Sequence, residues 1–260
     1  MPAEAFLEIE GLTRRFDGLK AIEEITLSIE AGKVASLIGP NGAGKTTFFN
    51  CITGLIPPTS GLIRFKGEPI TSLPPYEITR RGVARTFQNI RLFSEMTVLE
   101  NVMVGRYIQS ALPVAGTFFG ALLRSRKFTE GERTLREKAL QLLDFVGLAG
   151  RPELPSRQLA YGDQRRLEIA RALASEPKLL LLDEPAAGMN PRETDALMAL
   201  IGQIRSQGVT PFLIEHNMKM VMGISDRIIV LDHGAKIAEG TADEIQNNVR
   251  VIEAYLGKPV

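Results

Sequence analysis

The chain has 260 residues, 44% of them hydrophobic and 23% charged, the balance of a globular protein with room for one large domain or two lobes. Lys and Arg number 31 against 30 Asp and Glu, a formal net charge of +1, so no global basic field exists to hold a nucleic acid backbone and no nucleic acid partner is expected. One cysteine, Cys51, excludes an internal disulfide and suits a reducing compartment, and residues 1–10 lack the basic-then-apolar pattern of a secretory signal.

Residues 6–10 and 25–30 alternate apolar and polar side chains, the pattern of strands with one covered face. Residues 34–38 form a nearly continuous apolar run, as expected of a strand buried on both faces. The segment that follows, Gly39, Pro40, Asn41, Gly42, Ala43, Gly44, Lys45 and Thr46, fits G-x-x-x-x-G-K-[ST] and opens a predicted helix, on which Cys51 reads as a small core residue. Residues 62–65, ending at Gly67, predict a short strand.

Roughly residues 97–157 carry no strong strand signal. Within them Leu135, Ala139, Leu142, Leu143 and Val146 recur at spacings of three and four, predicting a helix over 130–146. The most apolar stretch is 111–123. As a helix it would rise about 20 Å, against a hydrocarbon core of about 30 Å, and Pro113, Gly116 and Gly120 interrupt it, so it is not expected to cross a membrane. Residues 179–182, 211–214 and 228–231 return to continuous apolar runs. Together these elements predict an α/β fold: a doubly wound parallel core, a small antiparallel sheet near the N-terminus, and a helical lobe inserted in the middle.

Two features carry chemistry. In the glycine-rich loop, backbone N–H groups can wrap a phosphate at a helix N-terminus. Lys45 brings a point charge to the β- and γ-phosphates, Thr46 a hydroxyl for Mg²⁺, and Thr47 a contact near the α-phosphate. Far downstream, the run 179–182 delivers Asp183 and Glu184 at its end, where open α/β sheets bind ligands. Asp183 is expected to hold Mg²⁺ and Glu184 to act as general base toward the attacking water. These features alone leave nucleotide hydrolase and kinase both open.

Leu159, Ala160, Tyr161, Gly162, Asp163 and Gln164, followed by a helix-like stretch, resemble the LSGGQ signature of the ATP-binding cassette (ABC) proteins. The family's other marks stand in order around it. Phe16 matches the aromatic residue that stacks on adenine, Gln88 the Q-loop glutamine, residues 187–190 the D-loop, and His216 the switch histidine. The resemblance covers most of the chain. It implies the P-loop ABC ATPase fold, with a RecA-like parallel-sheet core, an N-terminal antiparallel β subdomain and an inserted α-helical subdomain. Residues 1–260 would be a single cassette, with 1–89 and 161–260 as the catalytic lobe and 90–160 as the helical lobe.

ATP and Mg²⁺ are the implied cofactors, with Gln88 orienting water or Mg²⁺ and His216 bonding the γ-phosphate. The signature segment would bind ATP held by a second ATPase subunit, identical or related. The sequence departs from the family at Ala160 for serine, Tyr161 for glycine and Asp163 for glutamine, and loss of one hydroxyl contact is worth about 1 kcal/mol. His233 sits in turn chemistry and takes no catalytic role.

Residues 159–173, 184–191 and 251–257, with the extra segment 105–127, resemble more narrowly the larger ATP-binding subunit of branched-chain amino acid importers. That resemblance implies two membrane permease subunits, an indirect periplasmic or extracellular binding protein, and a peripheral location on the cytoplasmic face of the cell membrane. The alternative within the class is another ABC system such as lipopolysaccharide export. A P-loop kinase or GTPase has no use for Gln88, the signature and His216 in this order, and a non-hydrolytic binding module would lack Lys45 or Glu184. After Gln88, the group Ile90, Leu92, Phe93 and Met96 is expected to leave part of itself exposed as an apolar cleft for a permease helix. Residues 111–123 would either add a second contact there or fold over their own lobe.

Overall fold

The computed structural model describes residues 6–107 and 126–256. The stretch 111–123 and most of the segment 105–127 lie outside the described residues, as does Gly257.

Strands β1 (Leu7–Phe16) and β2 (Leu19–Ile29) run longer than their alternation predicts. Asp17 and Gly18 between them take φ 41 and 93, the left-handed pair that a two-residue hairpin turn requires. Pairing therefore continues until Phe16 faces Leu19. With β4 (Ser60–Phe65) and β5 (Glu68–Pro69) they form a four-stranded antiparallel sheet in the order β2-β1-β4-β5.

The second sheet has six strands in the order β10-β9-β3-β8-β7-β6. These are β3 (Ala35–Ile38), β6 (Val83–Arg85), β7 (Leu179–Asp183), β8 (Thr210–Ile214), β9 (Arg227–Asp232) and β10 (Ala235–Gly240). All pair in parallel except β10, which lies antiparallel along β9. Every residue of β3, β7 and β8 is buried, which is why their sequences are continuous rather than alternating. The sequence pattern misses β5, β6 and β10. The first two are too short to show a period, and β10 is an edge strand interrupted by Lys236 and Glu239.

Helix α1 (Lys45–Ile52) lies between the sheets. Its Phe48, Phe49, Cys51 and Ile52 share one apolar cluster with Leu12 and Ile63 of the antiparallel sheet and Leu37, Leu181 and Phe212 of the parallel one. The Phe49 ring meets the Phe212 ring edge-on at 5.0 Å. The phosphate-loop helix is thus fixed from both sides.

Beyond α2 (Pro75–Arg80), the helices are α3 (Val98–Tyr107), α4 (Arg126–Phe145), α5 (Tyr161–Leu173), α6 (Pro191–Ser206), α7 (Met218–Ile224), α8 (Ala242–Gln246) and α9 (Val249–Leu256). The helix expected over 130–146 is α4, with an earlier start. Val98 and Val102 of α3, Leu143 of α4 and Leu167 of α5 join Leu180 and Leu182 of β7 in a second cluster. One core therefore runs from the inserted helices to the far face of the parallel sheet.

Candidate functional site

The phosphate loop leaves the C-terminal end of β3. A side chain at Gly39 would put its Cβ 2.1 Å from the Leu231 carbonyl oxygen of β9, and one at Gly44 would lie 2.3 Å from the Ala21 carbonyl oxygen of β2. Gly44 also has φ 94. Only glycine lets the loop pass between these two strands. Lys45 is buried beneath it, and its ammonium donates to the carbonyl oxygens of Gly39 at 2.7 Å and Pro40 at 2.9 Å. Burial lowers the Lys45 pKa, and the nearby Glu184 and Asp183 carboxylates oppose that shift. Thr46 is exposed and Thr47 half-buried on the first turn of α1. That helix begins at Gly44 with no side-chain cap, so its first N–H groups are open to an anion.

Strand β7 ends in Asp183, and Glu184 follows. One Asp183 oxygen, Oδ2, accepts from Arg85 Nη2 at 2.7 Å, while Oδ1 is buried and has no hydrogen-bond partner among the described residues. An orphaned, buried carboxylate oxygen fits a cation ligand. Glu184 has φ 47, a left-handed conformation uncommon in non-glycine residues. Its N–H donates to the Ile214 carbonyl oxygen at 2.9 Å. On its side chain, Oε2 accepts from Gln88 Nε2 at 2.7 Å and Oε1 lies 3.5 Å from His216 Nδ1. The structure thus brings Gln88, Glu184 and His216 together, with Lys45 and Asp183 alongside.

Glu215, which sequence reasoning passed over, organises this end of the sheet. Its buried carboxylate accepts N–H donors from Ala186 at 2.9 Å, His216 at 2.9 Å and Asn217 at 3.0 Å. One side chain therefore ties the segment after Glu184 to His216. Its signal in the sequence was an acidic residue at the end of a buried run. At the chain's far end, burial pushes the Tyr255 hydroxyl up in pKa, against a hydrogen bond from the Gly39 N–H. Helix α9 thereby touches the phosphate loop, a contact with no sequence signal.

The signature segment starts α5. Ala160 is its N-cap, in extended backbone and without a side-chain cap, and Gln164 Nε2 donates to the Leu159 carbonyl oxygen at 2.9 Å. Asp163 pairs with Arg151 at 2.7 Å. Tyr161 packs over Gly188, where an added Cβ would sit 3.3 Å from the ring. Gly188 also has φ 74, so the bulky departure in the signature is matched by a glycine in the segment after Glu184. Behind Tyr161, the fully buried Arg165 pairs with Glu168 at 2.9 Å and donates to the carbonyl oxygens of Phe87 at 2.6 Å and Gln88 at 2.7 Å. Burial raises the Glu168 pKa, and Arg165 opposes that shift. The Q-loop backbone is clamped to the signature helix.

Among the described residues, no hydrogen bond joins residues 159–164 to the phosphate loop of the same chain. Phe16 stands at the hairpin end of β1, 38% exposed, with the Arg14 guanidinium 4.5 Å from its ring centre. His233 is exposed in a turn.

The family model described as "ABC transporter" matches residues 22–187. The chain belongs to the ABC transporter family. A second model, "Branched-chain amino acid ATP-binding cassette transporter", matches residues 235–260 of this ABC protein. It is 51% identical to the high-affinity branched-chain amino acid transport ATP-binding protein BraF of Pseudomonas aeruginosa, over 97% of this chain and 98% of the relative. It is 46% identical to LivG of Escherichia coli strain K12, over 98% and 99%.

Among solved structures, the ADP conformation of MJ1267, an ATP-binding cassette of an ABC transporter, superposes with a TM-score of 0.84 at 31% identity. That superposition covers 98% of this chain and 99% of the other. A dimeric post-hydrolysis state of the cassette MJ0796, bound to ADP and Pi, gives 0.76 at 25% identity, covering 91% and 98%. The fold is the ABC ATPase fold, and the family binds ATP and ADP and forms ATPase dimers.

Proposed function

We propose that this ABC protein is the ATP-hydrolysing subunit of a branched-chain amino acid importer, working on MgATP. The observation that carries the chemistry is the convergence of Gln88 and His216 on Glu184, beside Lys45 and Asp183, at the C-terminal ends of parallel strands. Glu184 accepts the proton of the attacking water, Gln88 positions that water, and His216 donates to the γ-phosphate. Lys45 and the N–H groups of Gly39 to Thr47 hold the phosphates, and Phe16 stacks on the adenine. Thr46, Asp183 and Gln88 would hold Mg²⁺, which when bound neutralises charge developing on the transferred phosphoryl group. The orphaned Asp183 Oδ1 supports that assignment.

Residues 159–164 bind the γ-phosphate of ATP held on a second ATPase subunit, so each site is completed across the dimer. Among the described residues no hydrogen bond joins that segment to its own phosphate loop, and the likeness to a dimeric cassette supports this reading. The C-terminal family match and the relatives' names favour branched-chain amino acids over lipopolysaccharide export as the cargo. Two permease subunits and, indirectly, a binding protein complete the system, with this chain peripheral on the cytoplasmic face. Among the described residues no helix is long and apolar enough to cross a membrane.

The group after Gln88 divides: Leu92 packs on the second core cluster, while Phe93 and Met96 are exposed. Phe93 borders a cleft of about 370 Å³ with Phe87, Arg91, Gly105, Glu168 and Arg171, and this is where a permease helix seats. The test is a Phe93→Cys variant in a Cys51→Ala background, cross-linked in native membranes. Cross-links to permease subunits of a branched-chain amino acid system are expected. Cross-links to membrane proteins of another transport system would give the cargo a different identity, and none from Phe93 would move the coupling surface elsewhere.

A further inference from the structure

Arg85 belongs to none of the motifs, yet its guanidinium joins three of the elements that build the site. It closes β6, just ahead of the Q-loop. Nη2 donates to Asp183 Oδ2 at 2.7 Å on β7, and Nη1 donates to Asn50 Oδ1 at 2.7 Å and Thr53 Oγ1 at 3.3 Å at the end of the phosphate-loop helix. The rings of Phe49 and Phe87 lie 5.6 and 5.1 Å from its central carbon. Its side chain is 4% exposed and that of Asp183 is 2% exposed. An arginine held this way stays charged and cannot swing out to solvent.

The charge balance around the site then decides when a cation can enter. Asp183 and Glu184 bring two negative charges; Lys45 and Arg85 bring two positive ones. The four sum to zero, so the pull of the two carboxylates on a free divalent cation is largely offset there. Among the described residues no three His, Cys, Asp or Glu side chains cluster to hold an ion. The oxygen still open on Asp183, Oδ1, is one ligand and no more.

We propose that Arg85 is the resident counter-ion of Asp183, occupying Oδ2 and cancelling its charge so that a divalent cation enters this site only together with nucleotide phosphates. The proposal rests on Asp183 being the metal-binding carboxylate. Removing the guanidinium charge leaves a buried carboxylate uncompensated, a state costly enough that the site recruits a cation without nucleotide.

Mn²⁺ is the probe, followed by electron paramagnetic resonance on the full chain with ATP absent or present. Nucleotide-free wild type should bind Mn²⁺ only at millimolar levels or above. Arg85→Gln, which keeps a hydrogen-bond donor and loses the charge, should bind it about tenfold tighter or more without nucleotide. Arg85→Lys, which keeps the charge, should behave as wild type. Adding Asp183→Asn to Arg85→Gln should abolish the gain.

A folded Arg85→Gln protein that binds Mn²⁺ no better than wild type overturns the proposal. Should that variant not fold, wild type still decides: tight Mn²⁺ binding without nucleotide overturns the proposal. Asp183→Asn alone tests the underlying assignment separately. If it leaves Mn²⁺ affinity in the presence of ATP unchanged, Asp183 is not a metal ligand, whatever Arg85 does.

Discussion

Glu184 is held by more than its own strand. Its left-handed backbone turns the carboxylate toward Gln88 and His216, and the N–H bond to Ile214 keeps it there. Replacing it with glutamine removes the base while keeping volume and backbone, so turnover should fall about 10²–10⁴-fold with MgATP affinity retained. Lys45→Ala should instead weaken nucleotide binding itself. Phosphate release and equilibrium nucleotide binding separate the two, and near-normal turnover by Glu184→Gln would assign the base to another residue.

Cys51 makes a different prediction. Burial raises its thiol pKa from the ordinary 9.0 to about 11, so the folded chain keeps this proton over a range where an unfolded chain loses it. Its stabilising contribution is therefore intact below pH 9.0 and is lost as pH rises toward about 11. Urea midpoints should drop less between pH 8 and pH 11 for Cys51→Ala than for wild type. Equal drops would remove Cys51 from the alkaline loss of stability.

The motif residues were legible because their types and spacing are dictated by phosphate chemistry. Arg85 was not, because a single charged residue carries no period, and Glu215 showed only as an acidic residue ending a buried run. Arg85's partner, Asp183, lies 98 positions along the chain.

At the scale of elements, the phosphate loop works because it is wedged. Its glycines at 39 and 44 abut carbonyl oxygens of β9 and β2 from different sheets, so loop shape depends on both sheets holding their places. Gly44→Ala should cost about 1–3 kcal/mol from backbone strain alone, with more from the close approach to Ala21, and should weaken ATP binding. Urea unfolding and nucleotide affinity measure both; unchanged values would mean the loop has slack that the 2.3 Å approach denies.

The central strands were readable as continuous apolar runs because helices cover them on both faces. The signature was readable as a motif, but its tyrosine looked like a bare departure. Its counterpart, Gly188, becomes visible only when α5 and the segment after Glu184 are packed together. The three strands missed lie at sheet edges: β5 and β6 are too short to show a period, and β10 is mostly exposed or half-buried.

On the scale of the whole molecule, one chain is proposed to supply two half-sites, each completed by a second subunit. The loop, Asp183, Glu184 and His216 gather at one set of strand ends, and among the described residues no hydrogen bond joins them to residues 159–164, which open a helix. The family motifs are what suggest this division in the sequence. What the sequence lacked was the internal wiring, above all Arg165 fastening the Q-loop backbone to the signature helix.

Shared sites imply that two damaged subunits can repair each other. Glu184→Gln spoils the base and leaves the signature intact. Gly162→Asp puts a carboxylate where phosphate should bind, close to the Glu193 carboxylate 3.0 Å from the added Cβ, and leaves the loop and base intact. Each variant alone should hydrolyse ATP at a small fraction of the wild-type rate while its monomer still binds MgATP. Mixed in equal amounts, they should regain a substantial part of that activity, because half of the sites in a mixed dimer pair an intact loop and base with an intact signature. A mixture no more active than its separate components, with both variants folded and binding nucleotide, would contradict a site completed across the dimer.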